Sequence, residues 1–391
     1  MSFPRTPYRS GAFVLALIVA LGPGDGRAHD ASAWGGLFRT RDAGAAWLPL
    51  NPGSFVSGAL ALAVSPVDPL HLLLATDTGV SRSRNGGRDW VIEARNVLIG
   101  PTFAAVFDVD GERALVSGAS AIFRSEGDSW RPVRSPAGSV PARALVSGSV
   151  AGRVYLAGRV GLYRSDDWGQ SWVSVGDGIA SEHASSIVVR PDRADEIYVV
   201  AGGHFWVSSA AGRGWQLRGT GLPPGALEVV ALDPSASNGL WAVAAGQVFR
   251  SDDQGRRWQP VGGPVREQPV VTRDVAVSGH VMLMATDRGV YRRTVDADRW
   301  TLSNDNLPAH LEAGMLVRDP LDPATVYAGF ALTSSDELSR RAVTGAGALR
   351  RLDLVNLAGG LAFLALLLLA AVAMVRRLAR THYRASRFTP R

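Results

Sequence analysis

Six arginines fall at one repeated place in the chain: Arg39, Arg82, Arg124, Arg164, Arg250 and Arg292. Each stands just before a polar turn, and several close a short apolar step such as Gly161-Leu162-Tyr163-Arg164. A guanidinium presents a planar fork of donors that matches a carboxylate through two parallel hydrogen bonds. A ring of such groups on one face is a candidate partner-binding surface for an acidic segment. The same geometry allows each arginine to pair with an acid or carbonyl of its own turn or of a neighbouring repeat. Both readings stand at the level of sequence.

Other chemistries find little support. The chain has no cysteine, which excludes a disulfide framework, thiolate metal sites and a cysteine nucleophile. All 41 basic residues are arginine, so Schiff-base and phosphate-loop lysines are excluded. The seven histidines (His29, His71, His183, His204, His280, His310 and His382) are isolated, with no H-x-H or H-E-x-x-H pairing. There is no G-x-S-x-G elbow. Glutamates are few and scattered, whereas a two-carboxylate glycosidase needs a pair about 5–10 Å apart. The paired acids Asp166-Asp167 and Asp252-Asp253 sit inside turns whose own hydrogen bonding accounts for them. No catalytic residue, metal ligand or cofactor site is assigned.

The turns that follow the arginines share a pattern, Ser/Thr-x-Asp-x-Gly-x-x-Trp. Ser165 to Trp172, Ser251 to Trp258 and Thr40 to Trp47 are full copies. Ser83 to Trp90 has Asn85 in place of the aspartate, and Ser208 to Trp215 has Ala210. Ser125 to Trp130 is shortened, and Arg293 to Trp300 has lost the serine, aspartate and glycine. Asp42, Asn85, Asp167 and Asp253 are expected to accept backbone N–H bonds within the turn. Glycine takes the positive-φ position. The tryptophan, burying roughly 150–250 Å², is expected to anchor the hairpin to its sheet.

Trp47, Trp90, Trp130, Trp172, Trp215, Trp258 and Trp300 are spaced 43, 40, 42, 43, 43 and 42 residues apart. A period of this size signals a solenoid or a propeller. Upstream of each turn lie two apolar strands joined by a Pro/Asp-rich turn, as in Val229 to Ala244 and Met315 to Ala328. Each period therefore holds four strands, which is a propeller blade. The chain begins mid-repeat with two strands and ends its last repeat with two more, after Glu312. The predicted fold is all-β: a seven-bladed β-propeller with one blade shared between the chain ends. The innermost strands, such as Leu60 to Val64 and Val275 to Val277, are small and apolar and read as packing.

These boxes resemble the Asp-box, or bacterial neuraminidase repeat, over about Trp34 to Ala331. That family includes sialidases, some glucan hydrolases, sortilin-type receptors and photosystem II assembly and stability factors. The layout is most similar to the assembly factors, which implies protein binding. The arginine triad, Tyr/Glu pair and Arg-Ile-Pro step that a sialidase resemblance would imply are not assembled here.

Two further segments set the expected topology. Residues 1–28 read as a signal peptide, with Arg5 and Arg9 ahead of the eleven-residue apolar run Gly11 to Leu21; cleavage could fall as late as 33. Leu354 to Val375 is 22 residues without a charge, about 33 Å as a helix against a hydrocarbon core of about 30 Å. It is expected to be a transmembrane helix, preceded by a flexible linker over 332–353 and followed by a basic cytoplasmic tail over 376–391. The net charge of +6 resides in that tail, where six arginines occur without an acid. The rest is balanced, which argues against nucleic acid. The expected localisation is the cytoplasmic membrane, with the propeller on the periplasmic side. The expected role is a non-catalytic scaffold or assembly factor binding a membrane or exported protein complex. The alternatives are a glycan-binding or glycoside hydrolase protein and a sortilin-like peptide receptor.

Overall fold

The computed structural model describes residues 35–50, 56, 58–127, 129–179, 181, 184–265, 269–308, 310–350 and 367–374. The chain opens with β1 (Gly36–Thr40) and β2 (Leu48–Pro49). Six four-stranded blades follow. Blade 2 is β3 (Ala59–Val64), β4 (Leu72–Thr76), β5 (Val80–Ser83) and β6 (Val91–Ile92). Blade 3 is β7 (Thr102–Phe107), β8 (Ala114–Gly118), β9 (Ile122–Glu126) and β10 (Ser129–Val133). Blade 4 is β11 (Ala144–Ser147), β12 (Val154–Ala157), β13 (Leu162–Ser165) and β14 (Val173–Ser174). Blade 5 is β15 (Ala184–Val189), β16 (Ile197–Ala201), β17 (His204–Ser208) and β18 (Gln216–Arg218). Blade 6 is β19 (Leu227–Leu232), β20 (Leu240–Ala244), β21 (Gln247–Ser251) and β22 (Gln259–Pro260). Blade 7 is β23 (Thr272–Ser278), β24 (Val281–Thr286), β25 (Gly289–Thr294) and β26 (Thr301–Ser303). The last strands, β27 (Glu312–Arg318) and β28 (Val326–Ala331), complete blade 1 in the order β2-β1-β28-β27.

The ring therefore closes by pairing chain ends. β1 runs antiparallel to β28 from Gly36↔Phe330 to Thr40↔Val326. The innermost strands contact one another around the full circle, β27 to β3 and β23 to β27 included. Closure pairs β28 with β1, so the two half-blades at the chain ends form one complete four-stranded sheet.

The second strand of each blade is the one most completely buried. β4 (LLLAT), β16 (IYVVA) and β20 (LWAVA) are buried at every residue. A strand covered on both faces reads as a continuous apolar run rather than an alternation. Among the described residues the apolar core is not one cluster but seven, one at each blade–blade interface. Leu283, Trp47 and Phe330 belong to the cluster between blades 7 and 1, and Leu240, Tyr198 and Trp258 to the one between blades 5 and 6. Stability in such a ring resides in its interfaces.

After β28 the chain forms α1 (Ser335–Arg350), so most of the 332–353 stretch expected as flexible coil is helical. Ser334 caps it: its Oγ accepts from Glu337 N at 3.3 Å and its carbonyl from Leu338 N at 3.0 Å. Glu337 then holds Arg340 and Arg341, each at 2.7 Å. Those local bonds favour helix despite Gly345 and Gly347. The signal peptide and basic tail, and Trp34 at the propeller boundary, lie outside the described residues. So does most of the 354–375 span; its residues 367–374 are helical and exposed. Among the described residues no helix is long and apolar enough to cross a membrane.

Candidate functional site: the channel mouth

The turns come first, because they fix the blades that build the mouth. In Thr40 to Trp47, Thr40 Oγ1 accepts from Gly44 N at 2.9 Å, and Asp42 Oδ1 accepts from Ala45 N and Ala46 N, both at 3.0 Å. Asp167 Oδ1 accepts from Gln170 N and Ser171 N, Asp253 Oδ1 from Arg257 N, and Asn85 Oδ1 from Asp89 N. The Ala46 N–H, chief among these donors, holds the Asp42 carboxyl below its ordinary range. Gly44 and Gly255 have φ of 82° and 77°. A Cβ at Gly255 would collide with the Phe205 ring of the preceding blade. The residue before the glycine is also left-handed, at 54° in Ala43, 53° in Ala211 and 61° in Gln254, which the motif did not disclose.

That second left-handed residue turns its carbonyl toward the preceding blade. Arg39 Nη1 donates to Gly86 O at 3.1 Å, Arg164 Nη1 to Ala211 O at 2.6 Å and Arg292 Nε to Ala43 O at 2.9 Å. Blade 5 lacks an arginine at this place, and Arg218 of β18 supplies the equivalent bond, to Gln254 O at 3.0 Å. The other three arginines are also engaged. Arg82 pairs with Glu93 at 2.8 Å and donates to His71 Nε2 at 2.7 Å; Arg124 pairs with Glu126 at 2.8 Å; Arg250 pairs with Asp252 at 3.0 Å. All six therefore have intramolecular partners within the turns and blade interfaces. Asp166 is likewise paired, with Arg153 at 2.7 Å and Arg164 at 2.9 Å.

The tryptophans point the other way. Trp47 Nε1 donates to Ser303 Oγ at 2.9 Å, Trp90 Nε1 to Leu50 O at 2.6 Å, Trp130 Nε1 to Glu93 Oε2 at 2.5 Å, Trp215 Nε1 to Val175 O at 2.7 Å and Trp300 Nε1 to Gly263 O at 3.2 Å. Each acceptor lies on the outer part of the preceding blade. In these five the indole fastens one blade to the blade before, a partner that the motif does not specify. Trp258 alone bonds within its own turn, to Gly255 O at 3.0 Å, and the Trp172 indole N–H finds no acceptor. In the degenerate seventh turn, Arg293 occupies the serine place. Its guanidinium is buried 4.7 Å above the Trp300 ring and donates to Val261 O at 2.9 Å.

With the blades so fixed, the inner strands share a second feature. In six of the seven the ladder skips one residue near the start: Leu60, Phe103, Ser185, Glu228, Arg273 and Gly314. A bulge leaves the extra residue unpaired and re-aims its side chain. All six line one cavity of about 840 Å³ at the channel mouth. Arg143, just before the shorter β11, joins them, with Arg159. The segments read as packing, such as Leu60 to Val64 and Val275 to Val277, are largely buried, and the mouth is formed mainly by residues just ahead of such segments. The signal was a residue out of step with strand alternation, visible only once the pairing register is known.

The mouth sets charged groups among apolar ones such as Leu60, Phe103 and Ala142, and its acids are engaged. Glu312 pairs with Arg273 at 2.6 Å. Glu228 Oε2 accepts from Thr272 N at 3.2 Å, and burial pushes its carboxyl above the ordinary range. Arg143 Nη1 donates to Ala184 O at 3.2 Å. α1 lies across the opening: Asp336 pairs with Arg273 at 3.2 Å, and Ser339, Arg340, Val343 and Thr344 line the same cavity. Chemically this is a cavity with ion-paired groups beneath a helix. Among the described residues no cluster of His, Asp or Glu could hold a metal ion. His71 is a buried core group, its ring 4.6 Å from Phe107.

Fold and mouth together define a closed seven-bladed β-propeller with a capped channel. No protein-family model and no curated protein sequence matches the chain. Solved structures do resemble it. One is of YCF48 bound to D1 peptide, with a TM-score of 0.53 and 15% identity over 71% of this chain and 94% of that one. YCF48 from Cyanidioschyzon merolae gives 0.52 and 14% over 70% and 96%. A GH74 xyloglucanase from Xanthomonas campestris gives 0.55 and 17%, covering 70% of this chain but 51% of its own length. At these identities the likeness is one of fold.

Proposed function

We propose that the chain is an exported, single-pass membrane protein whose propeller serves as a non-catalytic scaffold or assembly factor for a membrane complex, receiving a polypeptide segment at the channel mouth. The observation that carries this reading is α1: a polypeptide segment already lies across the mouth, tied to it through Arg273. The apolar run Gly11 to Leu21, the 22-residue span from Leu354 to Val375 and the arginine tail support export, tethering and a propeller on the periplasmic side of the cytoplasmic membrane. The turn geometry supports membership of the Asp-box repeat group. YCF48, which shares the fold, has been captured with a peptide. A glycan-directed role has the xyloglucanase likeness behind it, and that is a likeness of fold.

Affinity capture of the tagged full chain from detergent-solubilised membranes tests the proposal. A recurrent membrane-protein partner is expected. Recovery of no partner, together with hydrolysis of xyloglucan or a sialoside by the purified chain, would replace it with the glycan reading.

A further inference from the structure

Resting on that reading, we propose that the mouth is a helix-receiving groove with α1 as its resident occupant, and that a partner helix bearing a carboxylate in its first turn displaces α1 and takes over Arg273. Three observations carry this. First, α1 is self-sufficient in its local bonding, with a Ser334 cap and a Glu337 that holds Arg340 and Arg341. It needs the propeller for position more than for its first turns.

Second, its attachment is shallow. The α1 residues facing the cavity are Ser335, Asp336, Ser339, Arg340, Val343 and Thr344, on one side of the helix. Five of the six are polar, so apolar burial is not what seats the helix. Among the described residues the ion pair that links α1 to the propeller is Arg273–Asp336, with Asp336 69% exposed. Ion pairs of that exposure contribute little.

Third, leaving is cheap. Breaking a pair is costly when it strands a buried charge. Arg273 keeps Glu312 at 2.6 Å when Asp336 departs, so no charge is stranded on the propeller. An incoming helix with an acid in its first turn restores the same pair, and the cavity beneath α1 leaves room for larger side chains than the stripe now offers.

The test uses the full chain, its Asp336→Arg variant and a fluorescent synthetic peptide of residues 333–350. The substitution places a cation against Arg273. Backbone exchange over 335–344 is expected to quicken in the variant while the thermal midpoint of the propeller is unchanged. The peptide is expected to bind the variant about threefold to fivefold more tightly than the wild type, since the resident helix no longer competes. A peptide carrying the same Asp→Arg change is expected to bind the variant about threefold to fivefold more weakly than the unchanged peptide does. Equal binding to both chains, or unchanged exchange in the variant, overturns the proposal. A wild-type chain that is dimeric in light scattering, and monomeric as Asp336→Arg, makes a second copy the occupant and overturns a partner helix. If the variant captures the same membrane partner in the same amount, helix exchange fails while the scaffold function stands. If peptide exchange behaves as expected but no membrane protein is captured, the scaffold function fails instead.

Discussion

Trp47→Ala should loosen the interface between blades 7 and 1. Trp47 is 0% exposed, packs in the cluster between blades 7 and 1, and donates to Ser303 Oγ, which in turn donates to Gly44 O at 2.8 Å. Large-to-small changes at buried tryptophans cost about 3–5 kcal/mol. A hydrogen bond of this kind contributes about 1 kcal/mol of that. At about 2 °C per kcal/mol for a domain of this size, the thermal midpoint should fall by about 6–10 °C. Trp47→Phe keeps most of the apolar contact and loses the hydrogen bond, so about 1–2 kcal/mol is expected. Trp172 is the internal control. It is half-buried, its N–H has no acceptor, and Trp172→Ala should cost visibly less than Trp47→Ala. Differential scanning calorimetry of the three variants checks the series. A Trp47→Ala midpoint within 2 °C of wild type, or a larger loss at Trp172, would refute the idea that the indoles act as blade-to-blade fasteners.

Arg164→Glu should lower the melting temperature, because it removes the bonds to Ala211 O and Asp166; a variant that melts normally but loses partner capture would restore the arginines as a docking surface. Asp253→Ala should cost about 1–2 kcal/mol in urea titrations at pH 7, comparable to loss of a helix cap. Burial opposes ionisation of Asp253, but the Arg257 N–H and Ser251 hydroxyl outweigh it and hold the carboxyl below 3.8. Its contribution is therefore present above about pH 4 and lost as the pH falls through the lower, folded value. Asp274 behaves oppositely. Burial pushes it up to about 6, although it accepts from Leu316 N and Val275 N. The folded state then binds the extra proton between about pH 4 and 6, so wild type should gain stability relative to Asp274→Asn as the pH falls across that window. A flat difference would remove Asp274 from the account.

The blade number and the closure were legible because they depend on period and on where the repeat is cut, both one-dimensional properties of the chain. So was the turn, since Ser, Asp and Gly serve each other within a few residues. What escaped depends on neighbours remote in sequence. Trp90 fastens to Leu50 and Arg39 to Gly86, contacts about one period away that no local pattern orients. Arg218 replaces the missing blade 5 arginine from a different strand, and Arg293 fills a lost turn by burying a guanidinium, each a substitution of geometry rather than of motif. The mouth was illegible because Glu228 and Arg273 reach it through bulges, and a bulge is a property of two strands together. For α1 the signals were present in Ser334-x-x-Glu337 and in Glu337 with Arg341, but Gly345 and Gly347 argued for coil.

The most direct test of the account is site-specific photo-crosslinking in native membranes. A photoreactive residue at Ser185, in the mouth, is compared with one at Leu217, on the exposed outer strand of the same blade. Adducts to a discrete membrane protein from Ser185 and not from Leu217 are predicted. Adducts from Leu217 alone, or none from Ser185 while the chain is folded and abundant, would contradict a docking function for the channel mouth.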